Sequence, residues 1–241
     1  MTVSTLTRHS GPQQLAAATT LLVLLLAAVA PGPAGWLAGA TYALVGGMAL
    51  DGAMRRAGAD TFGPAGLVTL VRAVLGGVVT ALVVDGLVTG TVGVAALFVF
   101  AAVALVLDAV DGRVARGTDT VTAWGARFDM EADAALLLVL SLYVAALLGP
   151  WVLAVGLMRY AFVAAAQVWP WLGGSLDVRF SAKVVAALQG VVLVVVASGL
   201  LPVLLAGALV AAALGALAWS FAHDVARLHR ASRPADVESA A

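Results

Sequence analysis

Residues 91–148 read TVGVAALFVFAAVALVLDAVDGRVARGTDTVTAWGARFDMEADAALLLVLSLYVAALL and contain two apolar runs, 91–116 and 125–148. Each run is long enough to cross a bilayer, which takes about 20 mostly apolar residues. The ends of the runs that face each other along the chain nevertheless carry acidic residues, which are Asp108, Asp111, Asp129, Glu131 and Asp133. Charged side chains inside a bilayer are costly, so they are rare and usually functional. The stretch therefore predicts two antiparallel membrane helices with an acidic site between them.

The composition of the whole chain also indicates a membrane protein. Of its 241 residues, 63% are hydrophobic and 11% are charged, and the mean hydropathy is +1.06. Soluble domains have about 25% charged residues, and a soluble fold of this size cannot hide so much apolar surface from water. The formal net charge is zero, so the net charge does not indicate a charged partner. We expect that the protein does not bind nucleic acid. The chain has no cysteine, which excludes disulfides, thiolate metal sites and cysteine nucleophiles.

Apolar runs separated by turns or charged residues predict about eight transmembrane helices. They lie near residues 14–30, 35–50, 66–86, 91–116, 125–148, 150–169, 182–199 and 201–222. Every second connection carries Lys or Arg, whereas the intervening turns, such as 31–34 and 149–150, carry none. Because basic residues gather on the cytoplasmic side of short loops, we expect both termini in the cytoplasm. The first run also resembles a signal peptide with small residues at 28–30, but Pro31 disfavours cleavage there.

The four aspartates of the opening stretch form two pairs with helical spacing. Asp108 and Asp111 are three residues apart and Asp129 and Asp133 are four apart, so each pair shares a helix face. At a rise of about 1.5 Å per residue, both pairs lie roughly 6–13 Å inside the cytoplasmic helix ends and should meet at one level. Four carboxylates cannot all stay ionised in a low dielectric without a compensating charge. Their hard oxygen ligands suit magnesium or manganese.

Several charged residues allow a second interpretation. The aspartates could instead cap helices or form interhelical ion pairs, and the candidate partners are then Arg113, Arg116 and Arg127. Arg72 and Arg159 lie deep in their predicted helices, where a charge is normally paired. Either of them pairs with an acidic neighbour, or Arg159 helps to bind a phosphate. Asp85 lies at the outer end of its helix, and we expect it to be solvated.

The spacing of the acidic stretch resembles a known motif. Asp108-x2-Asp111-Gly112-x2-Ala115-Arg116-x8-Gly125-x3-Asp129-x3-Asp133 resembles the motif of the CDP-alcohol phosphotransferase (CDP-alcohol phosphatidyltransferase) family at every fixed position. The resemblance implies an all-α membrane core of six helices at 63–222, with the motif on its second and third helices. Residues 1–62 would then be an N-terminal transmembrane hairpin with a cytoplasmic linker, and 223–241 a polar cytoplasmic tail.

The resemblance implies a reaction and the residues for it. Such enzymes move a phosphatidyl-type group from a CDP-alcohol to an acceptor hydroxyl and release CMP. The implied ligands of two magnesium or manganese ions are Asp108, Asp111, Asp129 and Asp133, and Asp133 is also the implied general base. The implied CDP-binding residues are Gly112, Ala115, Arg116, Thr122, Gly125 and Thr69. The implied pocket for an acceptor phosphate comprises Arg159, Arg179 and Lys183.

Outside the motif the resemblance is weaker. Residues 64–72, PAGLVTLVR, are similar to the start of the family's first helix, where a Pro, a Thr and an Arg recur. Tyr160 replaces a glutamate of the fourth helix, and Ala182 and Val185 depart from the pattern of the fifth. These departures leave the acceptor open. We expect CDP-diacylglycerol as the donor and glycerol 3-phosphate or inositol phosphate as the acceptor.

Two rival functions also use acidic residues in membranes. An intramembrane prenyltransferase with a diphosphate donor binds magnesium through paired aspartates, but its two acidic motifs normally lie much further apart in sequence. A cation-coupled transporter often has internal repeats or broken helices, and this sequence has neither. We therefore expect an enzyme of the plasma membrane whose active site faces the cytoplasm, in contact with membrane lipid. A homodimer is left open.

Overall fold

Eight α-helices make up most of the chain that the structure describes. The structure, a computed structural model, describes the backbone of residues 10–118, 123–173 and 180–232 and the side chains of residues 10–108, 124–172 and 181–230. The helices are α1 (Gly11–Val29), α2 (Pro33–Ala57), α3 (Pro64–Thr89), α4 (Val94–Thr118), α5 (Ala123–Leu148), α6 (Leu153–Val168), α7 (Phe180–Ala197) and α8 (Val203–Ser232). Short 3-10 turns at Pro150–Val152 and Pro170–Gly173 flank α6. Each predicted apolar run is thus confirmed as a helix, and the described residues contain no strand.

Five of these segments are long and apolar enough to cross a membrane. They are Gly11–Val29, Pro64–Thr89, Trp124–Leu148, Pro150–Val168 and Val203–Arg230. Two further apolar helices are shorter within the described side chains, Val94–Asp108 and Ser181–Ala197. The predicted fold class, an all-α polytopic membrane protein, is confirmed.

The helix ends follow from local sequence. Pro33 and Pro64 stand in the first turns of α2 and α3, where the missing N–H costs nothing because no intrahelical acceptor faces it. Gly90 ends α3 with φ 75° and donates its N–H to the Gly86 carbonyl. This left-handed conformation is typical of glycine after the last helical turn. Tight turns of this kind place consecutive helices side by side.

Helix α3 is the central element of the bundle. It packs against α1, α2, α4 and α5, while α7 packs against α4, α5 and α8, and α6 against α5. Side chains along α3 are fully buried, among them Val78, Val79 and Val83. Because α3 is surrounded by other helices, the one cation on it, Arg72, lies inside the protein instead of facing lipid.

The N-terminal hairpin of α1 and α2 is seated closely on α3. A Cβ atom added at Gly77 would lie only 3.0 Å from Tyr42 Cδ1 and 3.1 Å from Leu22 Cδ1. Small residues permit such close approach between membrane helices. The hairpin therefore rests directly on the backbone of α3.

At the far end of α3, Asp85 has partners that the sequence did not predict. Its carboxylate accepts hydrogen bonds from the backbone N–H of Gly32 at 3.0 Å and of Gly35 at 3.3 Å, and the residue is half-buried. The expectation that Asp85 is solvated is wrong. The first N–H groups of a helix lack intrahelical acceptors, and Gly32, the N-cap of α2, has no side chain to supply one. Asp85 supplies it from the neighbouring helix.

Candidate active site

Three of the four motif aspartates meet at one place between α4 and α5. Asp108 on α4 and Asp129 and Asp133 on α5 each offer a carboxylate oxygen, and these oxygens all lie within 4.8 Å of one another. Asp129 and Asp133 share a face of α5 because they are one helical turn apart. The predicted convergence of the two pairs at one level is therefore observed for these three residues.

Arg72 of α3 lies at the centre of this acidic cluster. Its Nη2 is 2.9 Å from Asp108 Oδ1, Nη1 donates to Asp129 Oδ1, and Nη2 also donates to Asp133 Oδ1. A guanidinium suits this position because its planar fork presents several N–H donors in fixed directions. Pairing with an acidic neighbour is the expectation for Arg72 from its depth in the helix, and the structure shows this pairing.

The arginine lies behind the carboxylates. Its side chain is only 3% exposed, whereas those of Asp108, Asp129 and Asp133 are 37%, 38% and 40% exposed. The same carboxylates therefore contact the buried Arg72 and remain partly accessible to a ligand.

Among the described side chains of the cluster, the acidic groups outnumber the basic ones. Three partly buried carboxylates pair with the one guanidinium of Arg72. Uncompensated charge in a low dielectric is costly. A divalent cation would offset the negative charge of these carboxylates, and closely spaced carboxylate oxygens are the ligands that magnesium and manganese prefer. The donor set thus fits a divalent metal.

The other predicted metal and nucleotide residues differ in how much of them is described. Asp111, Gly112, Ala115 and Arg116 belong to α4, but their side chains lie outside the described residues. Thr122 lies outside them altogether. Gly125 lies on α5, one turn before Asp129. Thr69 lies on α3 and is 2% exposed, and its hydroxyl donates to the Ala65 carbonyl at 3.2 Å.

The residues predicted for an acceptor phosphate are not seen as one group. Arg159 on α6 is paired with Glu131 on α5, Nη2 to Oε1 at 2.5 Å. Glu131 points away from the acidic cluster, since it is turned by roughly 200° from both Asp129 and Asp133 around α5. Lys183 on α7 is exposed, and Arg179 lies outside the described residues.

A comparison of the sequence with known protein families decides which family the chain belongs to. The sequence model of the CDP-alcohol phosphatidyltransferase family matches residues 64–222. The chain belongs to the CDP-alcohol phosphatidyltransferase family. No curated protein and no solved structure was found to match it. The matched region begins at the first residue of α3, so the hairpin of α1 and α2 precedes it.

Membership of the family fixes the general reaction. The chain is an integral membrane enzyme that transfers a phosphatidyl group from a CDP-alcohol donor to an alcohol acceptor. The family generally uses a divalent metal, in agreement with the acidic cluster. The acidic cluster lies on α4 and α5, which are the second and third helices of the matched region.

Arg72 is the feature of the site that sequence reasoning only partly found. The sequence offers Arg113, Arg116 and Arg127 as candidate partners of the aspartates, because all three lie near them in the chain. The partner that the described side chains show is Arg72 of α3, 57 residues before Asp129. The available signal was a single cation in the apolar sequence of α3, which requires an acidic partner without saying which one.

Proposed function

We propose that this protein transfers the phosphatidyl group of CDP-diacylglycerol to a small phosphorylated alcohol and releases CMP, as a step of phospholipid synthesis. Glycerol 3-phosphate and inositol phosphate are the candidate acceptors, because each is a small phosphorylated alcohol. The observation that carries the proposal is the meeting of Asp108, Asp129 and Asp133 at one partly exposed place, on the two helices that bear the family motif.

The aspartates would hold the metal. Asp108, Asp111, Asp129 and Asp133 would bind two magnesium or manganese ions, and this metal would neutralise the diphosphate and the charge that develops at the attacked phosphorus. Arg72 would act as a positioning residue, because one guanidinium paired with three carboxylates fixes them relative to one another. The three carboxylates come from α4 and α5 and the guanidinium from α3, so the site depends on the packing of three helices.

Asp133 would be the general base. A new bond forms between the acceptor oxygen and the phosphorus that bears the diacylglycerol, and the bond from that phosphorus to the CMP oxygen breaks. The proton of the acceptor hydroxyl passes to the carboxylate of Asp133. This role suits Asp133, which lies one turn deeper on α5 than Asp129 and is 40% exposed on its side chain.

The remaining residues would bind the two substrates. The CDP group would contact Gly112, Ala115, Arg116, Thr122, Gly125 and Thr69. Glycines and alanine leave room for a flat nucleotide, and the guanidinium of Arg116 can bind diphosphate oxygens in pairs. The acceptor phosphate would bind to Arg159, Arg179 and Lys183, in which case Arg159 has to exchange Glu131 for the phosphate.

Residues 63–222 would form the catalytic core, with 1–62 as an accessory hairpin and 223–241 as a cytoplasmic tail. The basic loops would place the acidic cluster on the cytoplasmic side of the plasma membrane, with both termini in the cytoplasm. This orientation gives the water-soluble CMP and the acceptor access to the site from the cytoplasm. Whether two copies associate does not alter it.

The proposal is tested by measuring CMP release from the purified full-length protein in detergent. CDP-diacylglycerol and magnesium are supplied with glycerol 3-phosphate, inositol phosphate, free glycerol, free inositol or serine in turn. We expect release with a phosphorylated acceptor, none without any acceptor, and none after chelation of the metal. Release with an unphosphorylated acceptor alone would contradict the acceptor assignment. Turnover of a prenyl diphosphate without any CMP release would contradict the reaction itself.

A further inference from the structure

A large cavity lies between the N-terminal hairpin and the helices of the matched region. It has a volume of about 780 Å³ and is lined by residues of α1, α2, α3, α5 and α6. Ligand sites in proteins typically measure about 300–1,000 Å³. The hairpin forms one wall, with Leu15, Leu22, Tyr42 and Leu50 among the lining residues.

This cavity is separate from the acidic cluster. Its lining on α5 includes Phe128 and Ala135, whereas Asp129 and Asp133 face the other way. At 3.6 residues per turn, the two faces of α5 are roughly 150° apart, and on α3 the lining residues are turned from Arg72 by about the same angle. Helices α3 and α5 therefore stand between the cavity and the acidic cluster.

The walls of the cavity are apolar except at a few positions. Trp124 and Phe128 contribute aromatic surface, and Phe62 holds them in place with ring centroids 5.2 and 5.9 Å from its own. The charged lining residues are Arg56, Arg127 and Glu131. Such a lining excludes a strongly hydrated ligand from most of the cavity and suits a hydrocarbon chain.

The charged lining residues leave a net positive charge. Glu131 is already paired with Arg159 at 2.5 Å. No ion pair of the described side chains involves Arg56 or Arg127. Arg56 lies in the last turn of α2 and Arg127 in the first turns of α5, so both cations lie at the same end of the bundle. This is the end that the basic loops assign to the cytoplasm.

We propose that this cavity binds one anionic phospholipid of the cytoplasmic leaflet. An acyl chain occupies the apolar cavity, and the phosphate of the headgroup lies between Arg56 and Arg127. Most of the lining residues fall in the halves of α1, α2, α3 and α5 that are nearer the linker 58–63, and the others on α1 and α2, Leu22, Tyr42 and Ala43, lie within one turn of the helix midpoints, which matches the depth of one leaflet. The proposal rests on the proposed membrane orientation and does not depend on the proposed reaction, since the site lies on the other side of α3 and α5 from the aspartates.

Lipid binding to the full-length protein in detergent can be counted by native mass spectrometry. The probes are dioleoyl phosphatidylglycerol, which is anionic, and dioleoyl phosphatidylcholine, which has the same chains and no net charge. We expect one tightly retained phosphatidylglycerol per chain and weaker retention of phosphatidylcholine. Equal retention of the two lipids would overturn the assignment of an anionic headgroup.

A larger side chain in the cavity tests whether the acyl chain of the lipid binds there. Gly47 lines the cavity, and a Cβ atom added there meets no heavy atom within 4 Å, so Gly47→Leu places a larger side chain at a lining position with an open first atom. Gly215 on α8 is equally open and lies outside the cavity, which makes Gly215→Leu the matched control. We expect Gly47→Leu to lose the retained phosphatidylglycerol and Gly215→Leu to keep it. Retention by both variants would overturn the proposal.

Replacing the two cavity arginines tests whether they bind the phosphate of the lipid headgroup. Arg56→Gln and Arg127→Gln should each weaken phosphatidylglycerol binding by about fivefold, the effect of one cation near an anionic lipid surface, and leave phosphatidylcholine unchanged. Arg55→Gln is the control, because Arg55 is 77% exposed and paired with Asp51 at 2.6 Å. If Gly47→Leu fails to fold, these variants decide. An equal effect of Arg55→Gln and Arg56→Gln would overturn the proposal.

Discussion

Helix α3 carries two charged side chains, Arg72 and Asp85, and the partners of the two differ in kind. They lie about 20 Å apart along the helix at a rise of about 1.5 Å per residue. Arg72 is paired with three carboxylates, which carry more charge than it can neutralise. Asp85 accepts hydrogen bonds from two neutral backbone N–H groups.

The Arg72 end of α3 is therefore a candidate site for catalysis, whereas the Asp85 end is a structural contact between α3 and α2. In the cluster around Arg72, three partly exposed carboxylates share one described cation, a donor set that fits a divalent metal. The carboxylate of Asp85 accepts hydrogen bonds from the N–H groups at the start of α2, so these groups do not need a ligand as an acceptor. Changes at the first end of α3 should therefore affect turnover, and changes at the second end only stability.

The largest effect is expected at the aspartates that we propose as metal ligands. Asp108→Asn, Asp111→Asn and Asp129→Asn should each abolish CMP release, because each removes a negative charge that the metal needs. Chelation of the metal should do the same to the unchanged protein. Asp51→Asn is the control, since Asp51 lies on α2 and pairs with the exposed Arg55, and it should retain activity. Full activity in any of the three variants would contradict the metal assignment.

Asp133 is expected to differ from the other three aspartates. Asp133→Asn keeps the size and much of the hydrogen bonding of the side chain but removes the proton acceptor. Turnover should fall by about 10²–10⁴, the usual effect of losing a general base, while CDP-diacylglycerol still binds. Asp108→Asn should lose binding and turnover together. A paired measurement of donor affinity and CMP release decides, and equal loss of donor affinity in both variants would rule out the base assignment.

Replacement of Arg72 tests the electrostatic balance. Arg72→Met removes the guanidinium that pairs with three carboxylates, and breaking a buried ion pair costs about 3–5 kcal/mol. Because each carboxylate is more than one third exposed, the lower end of that range is expected. Thermal unfolding in detergent should show the loss, and magnesium should raise the Tm of Arg72→Met more than that of the unchanged protein. Equal magnesium effects would mean that Arg72 does not compete with the metal for these carboxylates, and no magnesium effect on either protein would mean that the metal does not bind them.

These two ends of α3 also show what the sequence could predict. The eight helices follow from the length of the apolar runs, and the meeting of the aspartates follows from their spacing along α4 and α5, because both signals are local. The pairing of Arg72 and the cap formed by Asp85 are not local. Their partners lie 36–61 residues away in sequence and are set by how the helices pack.

Arg127 shows that closeness in sequence does not by itself predict an ion pair. It is only two residues from Asp129 and was a candidate for its ion pair. Two residues along an α-helix correspond to a turn of roughly 200°, so the two side chains point to opposite faces of α5. Arg127 faces the cavity of the hairpin, whereas Asp129 faces Arg72.

Removal of the hairpin should have a small effect on turnover. A chain that begins at Phe62 lacks α1 and α2 but keeps every residue of the acidic cluster, so CMP release per folded molecule should remain within about threefold of the full-length value, a change worth less than about 1 kcal/mol in the barrier. It should also lose the retained phosphatidylglycerol. A well-folded but inactive shortened chain would show that the hairpin helps to form the active site.

The smallest effect is expected at Asp85. Asp85→Ala removes the acceptor for the Gly32 and Gly35 N–H groups, and loss of a helix N-cap costs about 0.5–2 kcal/mol. Asp85→Asn keeps one acceptor oxygen, so it should cost less than Asp85→Ala. Both variants should lower the Tm and leave CMP release per folded molecule unchanged, because none of the groups involved contacts the acidic cluster. If Asp85→Ala instead reduced turnover as strongly as Asp133→Asn, the two ends of α3 would be coupled, and the separation of chemistry from architecture along this helix would be wrong.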